Sequence, residues 1–244
     1  MRKIILQDLG TKQYKQVWDY QENLLQQKIK AKQNAESEND YLLFVEHPPV
    51  YTLGKNGKEK NLLISEKMLA ERGIEYFHIN RGGDITFHGP EQLVGYPILD
   101  LDNYKTDLGW YLRSLEEVII LTIKEYGLIG ERSKGETGVW LDASVKGKER
   151  KICAMGIRCS RWVTMHGFAL NVNVDLNYFN LITPCGIPDK KVTSIEKEIG
   201  SKVSMNEVKQ KLIKNFEKVF DAEIITGENF TTYRTAEKLT DSAI

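Results

Sequence analysis

Lys151 and Cys185 are the two residues whose side chains are best suited to act together in catalysis. Cys185 lies between two prolines and beside a glycine, which predicts a rigid turn over residues 182–188. A free cysteine has a pKa of about 8.5, so it needs a neighbouring cation to be mostly thiolate at neutral pH. Lys151 would supply that cation. The same residue types also suit a small buried thiol and a lysine at the end of a surface strand, so the residues alone leave both interpretations open.

Two predicted strands position this pair. Residues 151–163 contain no proline and many β-branched or small residues, and residues 165–174 alternate between apolar and small or polar side chains. Period two gives each strand one apolar face. In the first strand that face, which begins at Lys151, comprises Cys153, Met155 and Ile157. In the second strand it comprises Phe168, Leu170, Val172 and Val174. Cys153 and Cys159 lie inside the first strand and are interpreted as core residues.

Small residues recur in both strands. Ala154 and Gly156 lie in the first strand, and Gly167 and Ala169 in the second. Glycine inside a strand often marks the close approach of a ligand or of another backbone. The two strands are therefore predicted to leave a slot above the sheet.

A third segment, RGGDITFHGPEQ at 81–92, combines an arginine, a glycine pair, a histidine and a Gly-Pro turn. A glycine pair allows positive φ and lets a substrate lie against exposed N–H groups. His88 would bind such a substrate or shape its pocket. The same segment also suits an ordinary hairpin turn with a structurally satisfied histidine.

Composition narrows the class of protein. The chain has 244 residues, of which 41% are hydrophobic and 28% charged, and its net charge is zero, so bulk electrostatics give no support to nucleic-acid binding. Three cysteines without paired spacing suit a reducing compartment. No apolar run approaches about 20 residues, and the start lacks the apolar stretch of a signal peptide. A soluble cytoplasmic protein is expected.

The histidines are scattered, and the sequence contains no H-E-x-x-H, C-x-x-C or G-x-S-x-G pattern. Neither a metal site nor a serine triad is therefore predicted.

The remaining periodicity predicts the fold class. Helical spacing of apolar residues indicates long helices at 12–33 and 107–127, and a capping box at 204–207 opens another. Strands are expected at 3–9, 41–46, 50–53, 74–80 and 94–101, with two short ones within 128–141. The charged run 146–150 is interpreted as a solvated turn. We expect an α+β fold with a mostly antiparallel mixed sheet flanked by helices, in one domain over 1–244 with a core at about 40–225 and a polar tail at 226–244.

Three ordered segments together resemble the lipoyl(octanoyl) transferases, which share a fold superfamily with biotin and lipoate protein ligases. They are RGGDITFHGPEQ at 81–92, the block that begins KICAMGIR at 151, and PCGI at 184–187 followed by VTSI at 192–195. Two departures stand out. Glu91 replaces the usual glycine of H-G-P-G-Q, and 146–150 is a charged insertion before Lys151.

The resemblance implies roles for individual residues. Cys185 would carry the acyl group as a thioester, and Lys151 would lower the pKa of its thiol. The implied substrate contacts are Arg81, Gly82, Gly83, Asp84, Ile85, Thr86, Phe87 and His88, with Ala154, Met155 and Gly156, and with Gly167, Phe168 and Ala169.

The implied activity is a two-step octanoyl transfer without a cofactor or metal, carried out by a monomer. Octanoyl-acyl carrier protein would acylate Cys185, and a lysine of a lipoyl domain would then take the group, with 2-oxoacid dehydrogenase E2 subunits and the glycine cleavage H protein as acceptors. A docking patch for the acidic carrier is hypothesised at Arg158, Arg161, Lys190 and Lys191.

Three alternatives remain at this stage. An ATP-dependent lipoate or biotin ligase would have the same fold, but its glycine-rich segment resembles G-G-G-x-x-x-H-D and it has no need of Cys185. A non-catalytic acyl or carrier-binding module would bind without turnover. A hydrolase using the same cysteine would release free octanoate.

Overall fold

The computed structural model describes residues 2–183 and 191–226. Cys185 and all of the predicted tail after Thr226 lie outside the described residues. Lys190, part of the hypothesised docking patch, lies outside them as well. Within the described residues, no helix is long and apolar enough to cross a membrane.

The strands and helices follow one another along the chain in mixed order. The strands are β1 (Arg2–Thr11), β2 (Asp40–Glu46), β3 (Val50–Leu53), β4 (Glu75–His78), β5 (Ile85–His88), β6 (Gln92–Ile98), β7 (Val139–Leu141), β8 (Arg150–Ser160), β9 (Val163–Asn171), β10 (Lys191–Val192) and β11 (Ala222–Thr226). The α-helices are α1 (Tyr14–Gln33), α2 (Glu66–Glu71), α3 (Leu108–Lys124), α4 (Ile195–Ile199) and α5 (Met205–Phe220). Short 3₁₀ turns lie at Glu59–Asn61, Leu101–Asn103 and Leu176–Leu181.

Eight of these strands form one mixed sheet in the order β10-β8-β9-β6-β2-β1-β11, with β7 paired to β8. Its centre, from β7 through β8, β9 and β6 to β2, is antiparallel, whereas β10, β1 and β11 add parallel pairs towards the two edges. A smaller sheet has the order β4-β3-β5. The predicted α+β class with a mixed, helix-flanked sheet is confirmed.

The main sheet separates two apolar layers, as period two requires. Phe168 and Leu170 on one face of β9, and Val172 just after the strand, pack with α3 and α5. Ala169 faces the other way and packs with α1. The predicted alternation of β9 is therefore correct.

The three long helices begin where the sequence indicates. The Asp107 side chain accepts a hydrogen bond from the Trp110 N–H at the start of α3, and Ser204 accepts one from the Glu207 N–H at the start of α5. Such caps satisfy donors that have no partner inside the helix. Apolar residues at helical spacing then give each helix one buried face.

The region 128–150 differs from the prediction. Only β7 forms in 128–141, together with a single bridge between Glu131 and Trp140. Beyond the bridge, the Gly138 N–H bonds to a side chain and not to a second strand, since it donates to the buried carboxylate of Glu116. The charged run forms an exposed turn at residues 146–148, as predicted. Arg150 differs, because it is the first residue of β8 and is half-buried.

A buried ion pair connects α1 to the sheet. Lys28 Nζ lies 2.9 Å from Asp40 Oδ1, and their side chains are only 2% and 7% exposed. Lys28 also donates to the Glu38 carbonyl, while Asp40 accepts from the Asp100 N–H and the Tyr104 hydroxyl. Because a buried charge is costly unless it is paired and hydrogen-bonded, these bonds fix the turn between α1 and β2.

Replacing Lys28 by methionine should lower the free energy of unfolding by about 3 kcal/mol, because the Asp40 carboxylate would lose its buried cation. Urea denaturation followed by circular dichroism measures this. The matched control is Lys15→Met, on the same helix, whose pair with Asp19 is mostly exposed and should contribute within about 0.5 kcal/mol. Equal losses in the two variants would contradict the assigned role of the buried pair.

Candidate active site

A cavity of about 670 Å³ opens beside the centre of the main sheet, within the range of roughly 300–1,000 Å³ usual for small-molecule sites. It brings together three segments that are far apart in the sequence. The predicted residues that line it are Arg81, Gly82, Gly83, Asp84, Ile85, Thr86, His88, Lys151, Ala154, Met155, Gly156, Gly167, Phe168 and Ala169.

Phe87 is not among the lining residues. Its ring packs between the smaller sheet and the turn at Leu176–Leu181, stacked on Tyr178 with ring centroids 4.5 Å apart. Period two explains this, because neighbours on β5 point to opposite sides of the strand. Phe87 supports the cavity wall from behind.

The small residues of β8 and β9 lie directly opposite one another. Ala154 pairs with Ala169, and Gly156 pairs with Gly167. A Cβ atom on Gly156 would lie 2.7 Å from the Gly82 carbonyl oxygen, and one on Gly167 would lie 2.3 Å from that of Gly95. The backbones of the neighbouring segments thus approach too closely for any other residue, which is the reason for glycine at these points.

Arg81 and Asp84 hold the glycine pair in place. Arg81 Nη2 donates to the backbone oxygen and to the hydroxyl of Thr52, at 2.8 and 2.9 Å. Asp84 accepts from the Asn61 side-chain amide at 2.6 Å and from the Ile85 N–H at 2.7 Å. The charged side chains of this segment therefore bond to other protein groups and fix the shape of the cavity wall.

His88 belongs to a chain of hydrogen bonds that fixes its tautomer. Gln92 Nε2 donates to the Phe87 carbonyl and to Asn171 Oδ1, so Gln92 Oε1 faces His88 Nδ1 at 2.9 Å. Nδ1 must then carry the hydrogen, which leaves Nε2 as an acceptor. Burial, with a smaller contribution from His47, lowers the pKa of His88 to about 3. The ring is neutral at physiological pH.

The chain of hydrogen bonds continues to the strand of Lys151. Asn171 Nδ2 donates to the Thr193 carbonyl at 2.9 Å, and the Thr193 N–H donates to the Lys151 carbonyl at 2.9 Å. His88 and Lys151, 63 positions apart in the sequence, are thereby fixed in one rigid frame.

Lys151 extends along the indole of Trp140, its partner across β7 and β8. The ammonium lies 4.5 Å from the ring centroid, a distance typical of a cation–π contact. Glu136 Oε2 lies 3.9 Å from the same nitrogen. The predicted cation is thus inside the cavity, half-buried, and next to a carboxylate that the sequence analysis did not single out.

Of the two cysteines within the described residues, Cys153 is a core residue as predicted, whereas Cys159 is only partly buried. Burial raises the pKa of both thiols. Neither residue carries a thiolate at neutral pH.

Glu91, the departure next to His88, keeps a glycine-like backbone. Its φ is +62°, in the left-handed region that side chains rarely adopt. The Glu91 N–H donates to the Glu46 carboxylate, its carbonyl accepts from the Asn173 N–H, and its own carboxylate pairs with Lys202. Contacts on three sides therefore hold Glu91 in the backbone conformation that a glycine would adopt.

Arg150 anchors the segment that begins with β10. Its guanidinium donates to both oxygens of Glu198, each at 2.6 Å, and also to Asp142. These bonds lower the pKa of Glu198, and the Thr193 hydroxyl donates to the same carboxylate. The pairing of Arg150 with Lys191 in register then attaches β10 beside Lys151.

The hypothesised docking patch does not form as one surface. Lys191 lies opposite Arg150, whereas Arg158 is eight residues further along β8, roughly 27 Å away at about 3.4 Å per residue. Arg158 is also paired with Glu22 at 2.6 Å. Arg158 and Lys191 were grouped by charge, and the length of β8 separates them.

Several residues that line the cavity could not be predicted from the sequence. Tyr14 of α1 stacks on His88, with ring centroids 5.9 Å apart, although its spacing indicated only a core position. His166 has a φ of +59° within β9 and bonds to Asn80 through Nε2 at 3.0 Å. Both contacts depend on tertiary packing. An isolated histidine or tyrosine in a sequence does not indicate which residue it will contact.

The fold has solved counterparts. A putative lipoate protein ligase from T. acidophilum superimposes with a TM-score of 0.69 at 16% identity, covering 99% of this chain and 95% of that one. A lipoate-protein ligase A bound with ATP superimposes with a TM-score of 0.68 at 15% identity, covering 98% and 94%. At these identities the likeness shows the fold alone.

Curated relatives are much closer in sequence. An octanoyltransferase from Flavobacterium johnsoniae is 59% identical over 231 residues, covering 92% of this chain and 99% of its own. One from Christiangramia forsetii is 56% identical over 230 residues, covering 91% and 98%. The model of the lipoyl protein ligase A/B catalytic domain matches residues 13–217. The chain therefore belongs to the lipoyl protein ligase A/B catalytic domain family.

Proposed function

We propose that this protein is an octanoyltransferase that moves an octanoyl group from acyl carrier protein to a lysine of a lipoyl domain, through a thioester on Cys185. The observation that carries the proposal is the cavity in which Lys151, the glycine-rich turn and the small residues of β8 and β9 meet. Relatives more than half identical over nearly the whole chain are octanoyltransferases.

The cavity suits a medium-length acyl chain. Apolar side chains on several of its walls, among them Val94, Leu112, Met155, Ile157 and Phe168, surround the space above the paired small residues. Each methylene that leaves water contributes roughly 0.8 kcal/mol, so the acyl chain itself supplies most of the binding energy. The polar groups lie at Arg81, His88 and Lys151, where a thioester carbonyl would be placed.

Cys185 is proposed as the nucleophile because Cys153 and Cys159 are held as thiols by burial. The Cys185 thiolate would attack the carbonyl carbon of the octanoyl thioester, a new carbon–sulfur bond would form, and the carrier thiolate would leave and take up a proton. The Lys151 ammonium stabilises the attacking thiolate by its charge. Backbone N–H groups of the glycine-rich turn are candidates to stabilise the oxyanion.

The second step consumes the acyl-enzyme. The neutral amine of an acceptor lysine attacks the thioester carbonyl, the amide bond forms and the carbon–sulfur bond breaks. Cys185 leaves as a thiolate and takes up the proton that the amine nitrogen releases. Lipoyl domains of 2-oxoacid dehydrogenase E2 subunits and the glycine cleavage H protein are the proposed acceptors. The reaction needs no ATP, which separates it from a ligase of the same fold.

Mixing the protein with octanoyl-acyl carrier protein without ATP should give one octanoyl adduct by intact mass. The adduct should be absent in Cys185→Ala, because the nucleophile is removed. In Lys151→Ala it should form at least tenfold more slowly, because a charge partner commonly shifts a thiol pKa by one unit or more. An apo lipoyl domain should then clear it. Acceptor modification that requires ATP and free lipoate would contradict the transferase and indicate a ligase.

The rate of acylation should not report the titration of His88. Burial holds the pKa of this base well below its usual 6.5, so the ring stays neutral between pH 5 and 8. His88→Asn should lower the rate because the bond to Gln92 changes, yet keep the shape of the pH–rate profile. A limb near pH 6 that is present in the native protein and lost in the variant would identify His88 as a titrating base.

A further inference from the structure

Glu136 is presented to Lys151 by a loop that is anchored on both sides. Glu136 Oε2 lies 3.9 Å from Lys151 Nζ, and the two side chains are only 18% and 16% exposed. The next residue, Thr137, donates its hydroxyl to the Met155 carbonyl of β8. The Gly138 N–H donates to Glu116, whose side chain is fully buried. The carboxylate therefore reaches Lys151 from a fixed position.

The anchor itself is an ionic cluster on α3. The Glu116 carboxylate accepts from Arg132 at 3.1 Å and from Arg113 at 2.5 Å, and Arg132 also pairs with Glu117. Arg132 and Gly138 enclose the short loop that carries Glu136. Two contacts of this loop, to α3 and to β8, thus keep the Glu136 carboxylate at the cavity wall.

The proposed reaction creates a hazard for Lys151. An acyl thioester on Cys185 would lie beside an amine of the same kind as the acceptor lysine. If Lys151 lost its proton, its nitrogen would attack the thioester carbonyl and the carbon–sulfur bond would break. Cys185 would leave as a thiolate and take up the proton that the nitrogen releases. The product, an amide on Lys151, is stable and would end the activity of that molecule.

We propose that Glu136, together with the face of Trp140, holds Lys151 as an ammonium and so protects it from octanoylation by the enzyme's own thioester. An ammonium has no lone pair with which to attack, while its positive charge still stabilises the Cys185 thiolate. The inference rests on the proposed function. It adds a protecting role for a carboxylate that touches the catalytic cation.

The other charged groups around Lys151 are consistent with this role of Glu136. On β8, Arg150 is paired with Glu198 and Asp142, and its charge is thereby offset. On β10, Lys191 is exposed to solvent, which screens it. Cys153, the next residue on the same face, has its pKa raised by burial and carries no charge at neutral pH. A carboxylate within about 4–6 Å favours the charged form of a lysine, so Glu136 is placed to keep the proton on Lys151.

The test is to incubate the native protein and Glu136→Gln with octanoyl-acyl carrier protein, without an acceptor, and to treat both with hydroxylamine. Hydroxylamine cleaves a thioester but leaves an amide. If the pKa of Lys151 falls by about one unit in Glu136→Gln, the neutral fraction and the hydroxylamine-resistant adduct should rise about tenfold. The excess should grow with pH, and peptide mapping should locate it on Lys151.

Three control variants identify the cause. Glu136→Asp keeps the charge and should stay near the native level. Glu117→Gln removes a carboxylate that contacts only the anchor of the loop, and it should form no excess of resistant adduct. In Glu136→Gln/Lys151→Arg the resistant adduct should vanish, because the guanidinium stays protonated.

Equal amounts of hydroxylamine-resistant adduct in the native protein and Glu136→Gln would overturn the inference while the labile thioester of the native protein would still support the transferase. If the native protein formed no labile adduct at all, the proposed function would fail, and the protecting role of Glu136 would fall with it.

Discussion

The close approach of flanking segments to β8 and β9 is the constraint on which the rest of the molecule depends. Where Ala154 faces Ala169 and Gly156 faces Gly167, the backbones of flanking segments come within a few ångströms, and a cavity replaces the side chains that would otherwise cover the sheet. Every group of the proposed chemistry is placed relative to this surface. The glycine-rich turn rests on it through the Gly82 N–H, which donates to the Ile157 carbonyl.

Polar bonds then turn this apolar surface into a rigid site. A chain of hydrogen bonds from His88 through Gln92 and Asn171 ends at Thr193, which is bonded to the backbone of Lys151. Inside the protein, such a network is strong when all of its members are satisfied. The hydrogen-bonded interior therefore fixes the positions of the polar groups, while the proposed acyl group would need only apolar contact. This division would let one cavity hold a flexible chain and still align the proposed thioester.

Sequence reasoning succeeded where a property belongs to one strand or helix. Period two found the core face of β9, helical spacing and caps found α1, α3 and α5, and small residues indicated the slot. It failed for side-chain contacts between segments that are far apart in the sequence. The contact of Glu136 with Lys151 could not be predicted from a charged loop. Arg150 was assigned to a solvated turn because its partner Glu198 is distant in the sequence. Phe87, inside a strong segment, faces away because strand neighbours alternate.

The backbone at Glu91 shows which kind of variation this site tolerates. With a φ of +62°, the position is restricted by the shape of the main chain, and its side chain points to Lys202 at the surface and away from His88. Glycine, asparagine or aspartate would fit the same turn, whereas valine, isoleucine or threonine would clash with it. The turn beside the proposed active site thus accepts a change in side-chain charge but not a β-branched side chain. A charge change at position 91 would alter the surface of the protein and leave the proposed site unchanged.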